Sequence, residues 1–303
     1  MLGLHGASRK RNLICRLLPR RTTRPSAVTL TGAAEWEGGV GRNWAAEWRR
    51  TDRSFAGLTR ELLARIEALP GRAIVDIGCG AGELALAIAA ARRTARVLGI
   101  DISPDLVTAA AVRGSLRTNC AFALADASCW EPDRGAPDLY VSRHGVMFFA
   151  DPVAAFAHLA QVAAPGAALA FSCFRGPAEN QWASGMAALV AAPGGEPPNP
   201  HAPGPFAFAD EARVKSILID AGWRDVAIEP VDWRFVAGGG SDPLSDAREY
   251  FRQIGPAAAA LRVLPEAERA VPLRRIEEFI ARHLSRGEVS FPAAAWIVTA
   301  QRG

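Results

Sequence analysis

The amino-acid sequence predicts an α/β protein built on a doubly wound, mostly parallel sheet of seven strands. Short β-branched runs alternate with helical stretches through residues 73–174, the rhythm of a parallel sheet with helical crossovers. Gly78, Gly80 and Gly82 stand between the first strand and the helix that follows it. Acidic residues stand at the ends of three consecutive strands. Because ligands of such sheets bind beyond the strand ends, the same pattern predicts a binding site there.

The elements of the first half follow from apolar periodicity and from helix signals. Leu58, Leu62 and Ile66 at helical spacing predict a helix over 43–68, which Pro70-Gly71 ends. Ser103-Pro104 opens a later helix with a capping residue followed by proline. The predicted strands are 73–77, 96–102, 120–127, 138–143 and 167–174, and further helices are predicted at 83–93 and 151–163.

The second half is less regular and predicts insertions that cap the sheet. Residues 176–206 are rich in Pro and Gly and are long for a simple connection. A helix at 208–223, a strand at 224–235, helices at about 242–254 and 272–284 and a strand at 289–301 complete the chain. We therefore predict one domain over 31–303, with cap insertions at about 176–206 and 238–285. Gly194-Gly195 and Gly238–Gly240 are the expected hinges of this cap.

The composition of the 303-residue chain excludes several classes of protein. Half of the residues are apolar and 22% are charged, the balance of an ordinary globular protein. The chain has no uninterrupted apolar run of about eighteen residues, so no membrane span is predicted. The five cysteines are scattered without a CxxC pair, which predicts a reducing, cytoplasmic setting without a disulfide framework. The histidines share no ligand spacing, so no metal is predicted.

Basic residues are concentrated at the start of the chain. Residues 1–30 hold seven of the 35 Lys and Arg residues and no acid, which leaves 28 basic and 31 acidic residues in 31–303. The slightly acidic remainder disfavours a nucleic-acid partner. We interpret residues 1–30 as a disordered basic tail. A targeting presequence, or an arm that binds nucleic acid or a membrane surface, stays open as an alternative.

The alternate glycines predict a backbone that comes close to a bound ligand. A glycine-rich turn between strand and helix points N–H groups and the helix N-terminus at the ligand, and the missing side chains leave it room. This feature fits any nucleotide-like cofactor. Glu83 stands where the GxGxxG fingerprint has its last glycine, which argues against a nicotinamide dinucleotide.

Three motifs together resemble those of the class I S-adenosylmethionine-dependent methyltransferases. DIGCGAG at 76–82 resembles their first motif, GIDIS at 99–103 the acidic end of the second strand, and ALADAS at 123–128 the third. Residues 142–175 are similar to strands four to five of the broad subgroup that acts on small molecules. The resemblance covers about 35–303. It implies a Rossmann-like methyltransferase fold with helical cap insertions and S-adenosylmethionine as cofactor.

The resemblance also implies roles for the residues of the first motif. Gly78, Gly80 and Gly82 would face the methionine and ribose parts of the cofactor. Asp76 would orient the amino group of the cofactor, directly or through water. The methionine end is therefore expected beside the first strand.

The second and third motifs would bind the nucleoside. Asp101 would take both ribose hydroxyls, because a carboxylate offers two acceptors to a cis-diol. Ile102 would pack on the adenine, and Asp126 together with the Ala127 N–H would bind the adenine edge. The nucleoside is therefore expected beside the second and third strands.

Two residues at the end of the fourth strand are candidates for roles in catalysis or in acceptor binding. His144 is the candidate base, because it stands at the open end of the sheet near the expected methyl group and imidazole titrates near neutral pH. The alternative is a packed or helix-capping histidine, since the family more often has an aromatic residue there. Arg143 would either anchor an acidic acceptor or pair with a carboxylate of the protein.

The sequence predicts a small-molecule methyltransferase and leaves its acceptor open. The expected acceptor is small and partly apolar, such as a quinone, an aromatic compound or a secondary metabolite, and the methylated atom stays open among O, N and C. Either an apolar lid or ordinary packing is expected for Trp36, Trp44, Trp48 and Trp182. A monomer or homodimer is expected. A non-catalytic S-adenosylmethionine-binding module and an RNA methyltransferase remain as alternatives.

Overall fold

The computed structural model describes residues 32–190 and 199–303, whose strands form one sheet. The strands are β1 (Ala73–Ile77), β2 (Arg96–Asp101), β3 (Cys120–Leu124), β4 (Leu139–Arg143), β5 (Ala168–Phe174), β6 (Trp223–Gly238), β7 (Leu284–Ser285) and β8 (Glu288–Arg302). Their order is β3-β2-β1-β4-β5-β8-β6, with β7 paired to β8. β1 to β5 are parallel, and β8 is antiparallel to β5 and β6. The predicted α/β class with a mostly parallel sheet is confirmed, and the two-residue β7 is an addition to the seven predicted strands.

The helices of the described residues lie before, between and after these strands. They are α1 (Ala33–Trp36), α2 (Gly39–Ala46), α3 (Trp48–Glu67), α4 (Glu83–Ala91), α5 (Pro104–Arg113), α6 (Pro152–Val162), α7 (Gln181–Val190), α8 (Glu211–Asp220), α9 (Pro243–Gln253), α10 (Pro256–Val263) and α11 (Ala270–Ala281). All of β5 and all but the last residue of β4 are buried, as expected for strands covered on both faces. Within the described ranges, no helix has the length and apolar character needed to cross a membrane.

The helix starts at the carboxyl edge of the sheet are fixed by their caps. Ser103 Oγ accepts a hydrogen bond from the Leu106 N–H at 3.4 Å, and Asp151 Oδ1 accepts one from the Ala154 N–H at 3.0 Å. Each capping residue is followed by a proline, which has no N–H to leave unpaired. The cap predicted at Ser103 is therefore confirmed. Such caps contribute about 1 kcal/mol each.

The long helix α3 ties the N-terminal part of the described chain to the sheet. Trp233 Nε1 donates to the Ser54 carbonyl at 3.0 Å, and Ser54 Oγ donates to the Val236 carbonyl at 3.0 Å. Gly57 permits this approach, because a Cβ there would lie 3.1 Å from Trp233 Cβ. The contact between α3 and β6 also places Phe55, the residue after Ser54, against the ring of His144, which follows β4. The two ring centroids are 5.4 Å apart.

A tight hairpin explains why β8 reverses direction. Arg286 and Gly287 connect β7 to β8 with φ values of 52° and 78°. Two consecutive positive φ values are those of a type I′ turn, whose twist suits a two-residue hairpin. Ser285 pairs with Glu288 across this turn. The hairpin returns the chain as β8, which lies between β5 and β6.

The cap differs from its prediction in its helices. α7 lies inside the Pro- and Gly-rich stretch that was expected as a connection, and α10 was not predicted. The α10 sequence contains four consecutive alanines, so it shows little contrast between an apolar and a polar face.

The predicted helix over 43–68 is divided at Glu47 into α2 and α3. The predicted tail at 1–30 and the hinge at Gly194-Gly195 lie outside the described residues.

Candidate functional site

The glycine-rich turn after β1 has the backbone conformation that its composition predicts. Gly78, Gly80 and Gly82 have φ values of 62°, 54° and 86°, the left-handed region that side chains other than glycine rarely adopt. The turn is attached to the end of the neighbouring strand, because the Cys79 N–H donates to the Ile100 carbonyl at 3.0 Å. β1, the turn and α4 therefore follow one another at the carboxyl edge of the sheet.

The three glycines have different surroundings. A Cβ at Gly78 would lie 2.8 Å from Gly145 Cα, and a Cβ at Gly82 would lie 2.9 Å from the Phe122 ring. A Cβ at Gly80 would have nothing within 4 Å. Gly78 and Gly82 are thus required by close packing inside the protein, which the sequence did not indicate. The space beside the turn that is free for a ligand lies at Gly80.

Asp101 joins the end of β2 to the glycine-rich turn. Its Oδ2 accepts from the Gly80 N–H at 2.8 Å, and its Oδ1 accepts from the Ser103 N–H at 2.9 Å. The side chain is buried, and burial raises the pKa of its carboxyl, against the effect of these N–H donors. The carboxylate therefore fixes the turn and the start of α5 at once.

Asp76, at the end of β1, has an unsatisfied buried oxygen. Its Oδ2 accepts from the Ala85 N–H at 3.1 Å, whereas its Oδ1 is buried and has no hydrogen-bond partner in the part of the chain that the structure describes. Burial raises the pKa of this carboxyl to about 7, and the charge of Arg143 opposes that shift. An unpaired buried acceptor is costly, so Oδ1 fits the amino group of a ligand seated at the turn.

The residues after β2 and β3 lie at the same edge and are more open to solvent. Asp126 is exposed, and its Oδ1 accepts from the Ser128 N–H at 2.9 Å and from Ser128 Oγ at 2.7 Å. Ala127 is buried and Ile102 is half-buried. The carboxyl ends of β1, β2 and β3 thus present an acidic side chain each, in the order in which the strands lie.

Arg143, the last residue of β4, is held by groups of the protein itself. Its Nη1 donates to Thr59 Oγ1 at 2.9 Å and pairs with Glu83 at the start of α4. The guanidinium lies 5.0 Å from the centroid of the Phe55 ring. Burial lowers the pKa of Arg143, and the nearby carboxylates of Asp52 and Asp76 oppose that shift. Of the two expected roles, the pairing with a carboxylate is the contact present here.

His144 follows with an unusual backbone and an unsatisfied ring. Its φ is 64°, in the left-handed region, and its side chain is only 8% exposed. Neither ring nitrogen has a partner at full hydrogen-bond geometry among the described residues, although the Ser172 backbone approaches the ring closely enough to raise its pKa. Burial, and secondly the charge of Arg143, hold the pKa of His144 well below its ordinary value, so the imidazole is neutral at physiological pH. Strained backbone and unpaired buried polar atoms are most frequent at functional sites.

Aromatic side chains from four elements surround His144, and we call Phe55, Phe174, Trp182, Trp233 and Phe235 the aromatic wall. The His144 ring stacks on Phe174 with 3.9 Å between centroids, and Trp233 lies 6.4 Å away. Trp182 stacks on Phe235 at 4.7 Å and lies 5.1 Å from Phe174. The wall is thus one connected cluster of buried aromatic side chains at the ends of β4 and β5.

The four tryptophans, for which either a lid or ordinary packing is expected from the sequence, lie in three different places. Trp36 packs against Trp44 and Phe148 with centroid distances of 5.5 and 5.1 Å. Trp48 lies under the guanidinium of Arg113 at 3.8 Å. Arg113 donates to the Ala81 carbonyl in the glycine-rich turn at 2.7 Å, so α3 and α5 are both tied to the turn. No sequence pattern indicated Arg113, because only the packing of α5 brings this residue to the turn.

Within residues 32–190 and 199–303, no group of three or more His, Cys, Asp or Glu side chains is arranged to hold a metal ion. The polar groups at the carboxyl edge are instead single carboxylates and backbone N–H groups. This donor set suits the amino group and hydroxyls of an organic ligand.

Comparison with known proteins agrees with this geometry. Residues 74–166 match a family described as a methyltransferase domain. A stretch of 110 residues is 39% identical to the trans-aconitate 2-methyltransferase of Methylobacterium radiotolerans and covers 36% of this chain. The chain thus spans 41% of the length of that relative.

Solved structures share the fold at low sequence identity. The YcgJ protein from Bacillus subtilis has a TM-score of 0.53 at 14% identity, over 80% of this chain and 98% of that one. Haemonchus contortus phosphoethanolamine N-methyltransferase 2, solved in complex with S-adenosyl-L-methionine, has a TM-score of 0.50 at 15% identity, over 86% of this chain and 56% of that one. At such identities the likeness concerns the fold alone.

The matched domain runs from β1 to the turn before β5 and contains the glycine-rich turn and the acids that end β1 and β2. The strands of this domain belong to a sheet of order β3-β2-β1-β4-β5-β8-β6, in which β8 is antiparallel to both of its neighbours. Residues 74–166 therefore match a methyltransferase domain, and the described chain has the fold of solved methyltransferases such as the one from Haemonchus contortus.

Proposed function

We propose that this protein transfers a methyl group from S-adenosylmethionine to a small, partly apolar acceptor. One observation carries the proposal. The free space at Gly80 and the unpaired Oδ1 of Asp76 lie at the same sheet edge as the aromatic wall around His144. A donor at the turn and an acceptor at the wall would be neighbours, and alignment of two reactants is the main catalytic requirement of this reaction.

The residues proposed to hold the cofactor are those at the ends of the first three strands. Asp76 Oδ1 would accept from the amino group, and the Gly80 region would face the methionine and ribose parts. The Asp101 carboxylate would accept from the ribose hydroxyls, with Ile102, Asp126 and the Ala127 N–H at the adenine. When bound, the cofactor supplies a methyl group that its sulfonium has already activated. The protein's part is to orient both reactants and exclude water.

The acceptor is proposed from the composition of the wall. Its members are apolar or aromatic, and the imidazole of His144 is a neutral hydrogen-bonding group among them. Ligand pockets of this composition take small molecules with few polar atoms. A proposed role in the cytoplasm rests on the scattered cysteines alone.

A second candidate acceptor is a carboxylic acid such as trans-aconitate. It is favoured by the 39% identity to the Methylobacterium radiotolerans enzyme over 110 residues. More than half of that relative has no counterpart in the match, so its acceptor does not transfer with the cofactor. The alternatives of a non-catalytic binding module and of an RNA methyltransferase predict, respectively, cofactor binding without transfer and label recovered in nucleic acid.

The test begins with calorimetric titration of the protein with S-adenosylmethionine and, in parallel, with NAD. Labelled cofactor is then supplied together with a metabolite extract and with cellular RNA. We expect S-adenosylmethionine alone to bind and the label to appear in small molecules. Label in RNA would replace the proposal with its RNA alternative, and binding without any transfer would favour the non-catalytic module.

Gly80→Ala is expected to weaken cofactor binding about tenfold or more while the protein stays folded. The new Cβ would enter the free space beside the turn without striking a protein atom. Gly135→Ala is the matched control, because Gly135 also has a positive φ, of 90°, and nothing within 4 Å of its Cβ position. Both variants bear similar backbone strain. Equal affinities of the two variants, measured by calorimetry, would contradict a ligand at Gly80.

Cofactor affinity is expected to fall as the pH is lowered through about 7. Because burial raises the pKa of Asp76 to about 7 in the free protein, its carboxyl becomes protonated below that pH. An ammonium group binds the ionised form, so each pH unit below the pKa should cost about tenfold in affinity. Calorimetry at about pH 6 and about pH 8, in two buffers, should show proton release at the lower pH. Asp76→Asn should remove the dependence, and a pH-independent wild-type affinity would contradict the assignment.

A further inference from the structure

The imidazole of His144 has no well-formed hydrogen bond within the described protein, and the Ser172 backbone is its one weak contact of this kind in the described residues. A neutral imidazole has one N–H donor and one nitrogen acceptor, and both ring nitrogens here are buried and unpaired. Unpaired buried polar atoms are unfavourable, and the left-handed backbone at φ 64° adds strain. A ligand that bonds the ring would satisfy the nitrogens. A group that both donates and accepts, such as a hydroxyl, complements either tautomer.

The aromatic side chains beside the His144 ring favour a planar ligand. Phe174 stacks on one side of His144 with an interplanar angle of 15°, and the Phe55 edge approaches with 5.4 Å between centroids. Trp233 lies nearly parallel to Phe174 at 21°, and Trp182 is stacked on Phe235. Aromatic surfaces of this kind bind planar rings by stacking and edge contacts.

The charges beside the wall are already neutralised. Each arginine within two positions of His144 or of a wall residue is paired with an acid. These pairs are Arg53 with Asp246, Arg143 with Glu83, Arg175 with Glu179 and Asp232, and Arg234 with Glu288. No lysine stands at these positions. A carboxylate brought to the wall would therefore lose its hydration without gaining an unpaired guanidinium, which is unfavourable.

We propose that the acceptor is an uncharged, planar molecule bearing a hydroxyl group, such as a phenol or enol, and that this hydroxyl binds His144 and is the site of methylation. This inference rests on the proposed function. It names the acceptor class and the methylated atom, and it separates this protein from relatives that act on trans-aconitate.

The transfer balances with the groups present. The acceptor hydroxyl gives its proton to the unprotonated nitrogen of His144, and its oxygen forms the new bond to the methyl carbon. The carbon–sulfur bond breaks with its electron pair on sulfur. One positive charge is lost from the sulfonium and one appears on the imidazole, so the net charge of the site is unchanged. The buried site therefore gains no net charge during the transfer, which limits the cost of charging the imidazole.

The test compares a neutral acceptor with one that carries an added carboxylate on the same ring. Catechol is paired with protocatechuate, the same ring with a carboxylate, and naphthol and trans-aconitate are added as further probes. Methyl transfer from labelled cofactor is measured for each, and binding to the complex with S-adenosylhomocysteine is followed by tryptophan fluorescence. We expect the neutral rings to bind, with catechol having a kcat/KM at least about tenfold above protocatechuate. We expect no transfer to trans-aconitate.

Variants of His144 test the role of the imidazole. His144→Asn keeps a residue that tolerates positive φ, and His144→Phe keeps the stacked ring. Both should lower kcat with neutral acceptors about 100-fold while the cofactor Kd stays within about twofold. His158→Asn is the control. His158 lies on α6, is not a member of the wall, and its ring contacts the Trp130 carbonyl instead.

The outcomes separate the two proposals. A preference for protocatechuate or trans-aconitate, or turnover by His144→Asn within a few-fold of wild type, would overturn the acceptor class. So would a protein that binds S-adenosylmethionine but neither binds nor methylates any neutral ring. A folded protein that fails to bind S-adenosylmethionine would instead overturn the proposed function itself.

Discussion

Replacing Arg143 with Met is expected to lower the free energy of unfolding by about 3 kcal/mol. The guanidinium pairs with Glu83, donates to Thr59 Oγ1 and lies close to the carboxylates of Asp52 and Asp76. The paired side chains are only 15% and 18% exposed, so water would replace the lost interaction poorly. Removing the cation leaves Glu83 at low exposure without its ion-pair partner and takes a nearby positive charge from Asp76, whereas Asp52 keeps its pair with Arg113. Urea unfolding of the purified variant measures the loss.

A double-mutant cycle identifies the source of this loss. Glu83→Gln combined with Arg143→Met should recover part of the stability, with a coupling energy of about 2 kcal/mol. Arg65→Met is the matched control, since Arg65 and Glu229 pair at 2.7 Å but are 38% and 52% exposed. Exposed pairs contribute less than about 1 kcal/mol. If Arg143→Met costs no more than this control, or if the cycle shows no coupling, the guanidinium is free to bind an acidic acceptor.

Asp101→Ala is expected to weaken S-adenosylmethionine binding by about 2 kcal/mol or more, which is about thirtyfold. The proposed ribose contacts would be lost, and two hydroxyls would be left without acceptors. The Gly80 and Ser103 N–H groups would lose their present partner as well, so the glycine-rich turn and the start of α5 would be released. Calorimetric titration of the folded variant measures the change in Kd.

Two further variants test whether the lost affinity comes from the charge of the Asp101 carboxylate or from the side chain as a whole. Asp101→Asn keeps the side-chain shape and one acceptor oxygen, so its loss should be smaller than that of Asp101→Ala. Asp105→Ala, in the first turn of α5, removes a carboxylate that makes no hydrogen bond to the turn. It should leave the affinity within about twofold. Unchanged affinity of a folded Asp101→Ala protein would mean that the end of β2 does not bind the ribose.

The sequence alone determined the elements that depend on local patterns. Each of the first five predicted strands agrees with the structure within three residues at its ends, and the cap at Ser103 stands where the Ser-Pro pair placed it. The glycine-rich turn and the acids at 76, 101 and 126 could be assigned to one edge, because parallel strands bring their carboxyl ends together. The resemblance to methyltransferases rests on the same motifs, and residues 74–166 match a methyltransferase domain.

The tertiary structure decided which distant residues meet. The aromatic wall combines α3, β5, α7 and β6, and Arg143 pairs with a residue 60 positions away. The structure also gives the three glycines different roles, since Gly78 packs against Gly145, two residues after β4, and Gly82 packs against Phe122 in β3. A local sequence pattern reports the period of a helix or strand, whereas side-chain contacts depend on how those elements pack. The unpaired imidazole of His144 is therefore visible only in the folded chain.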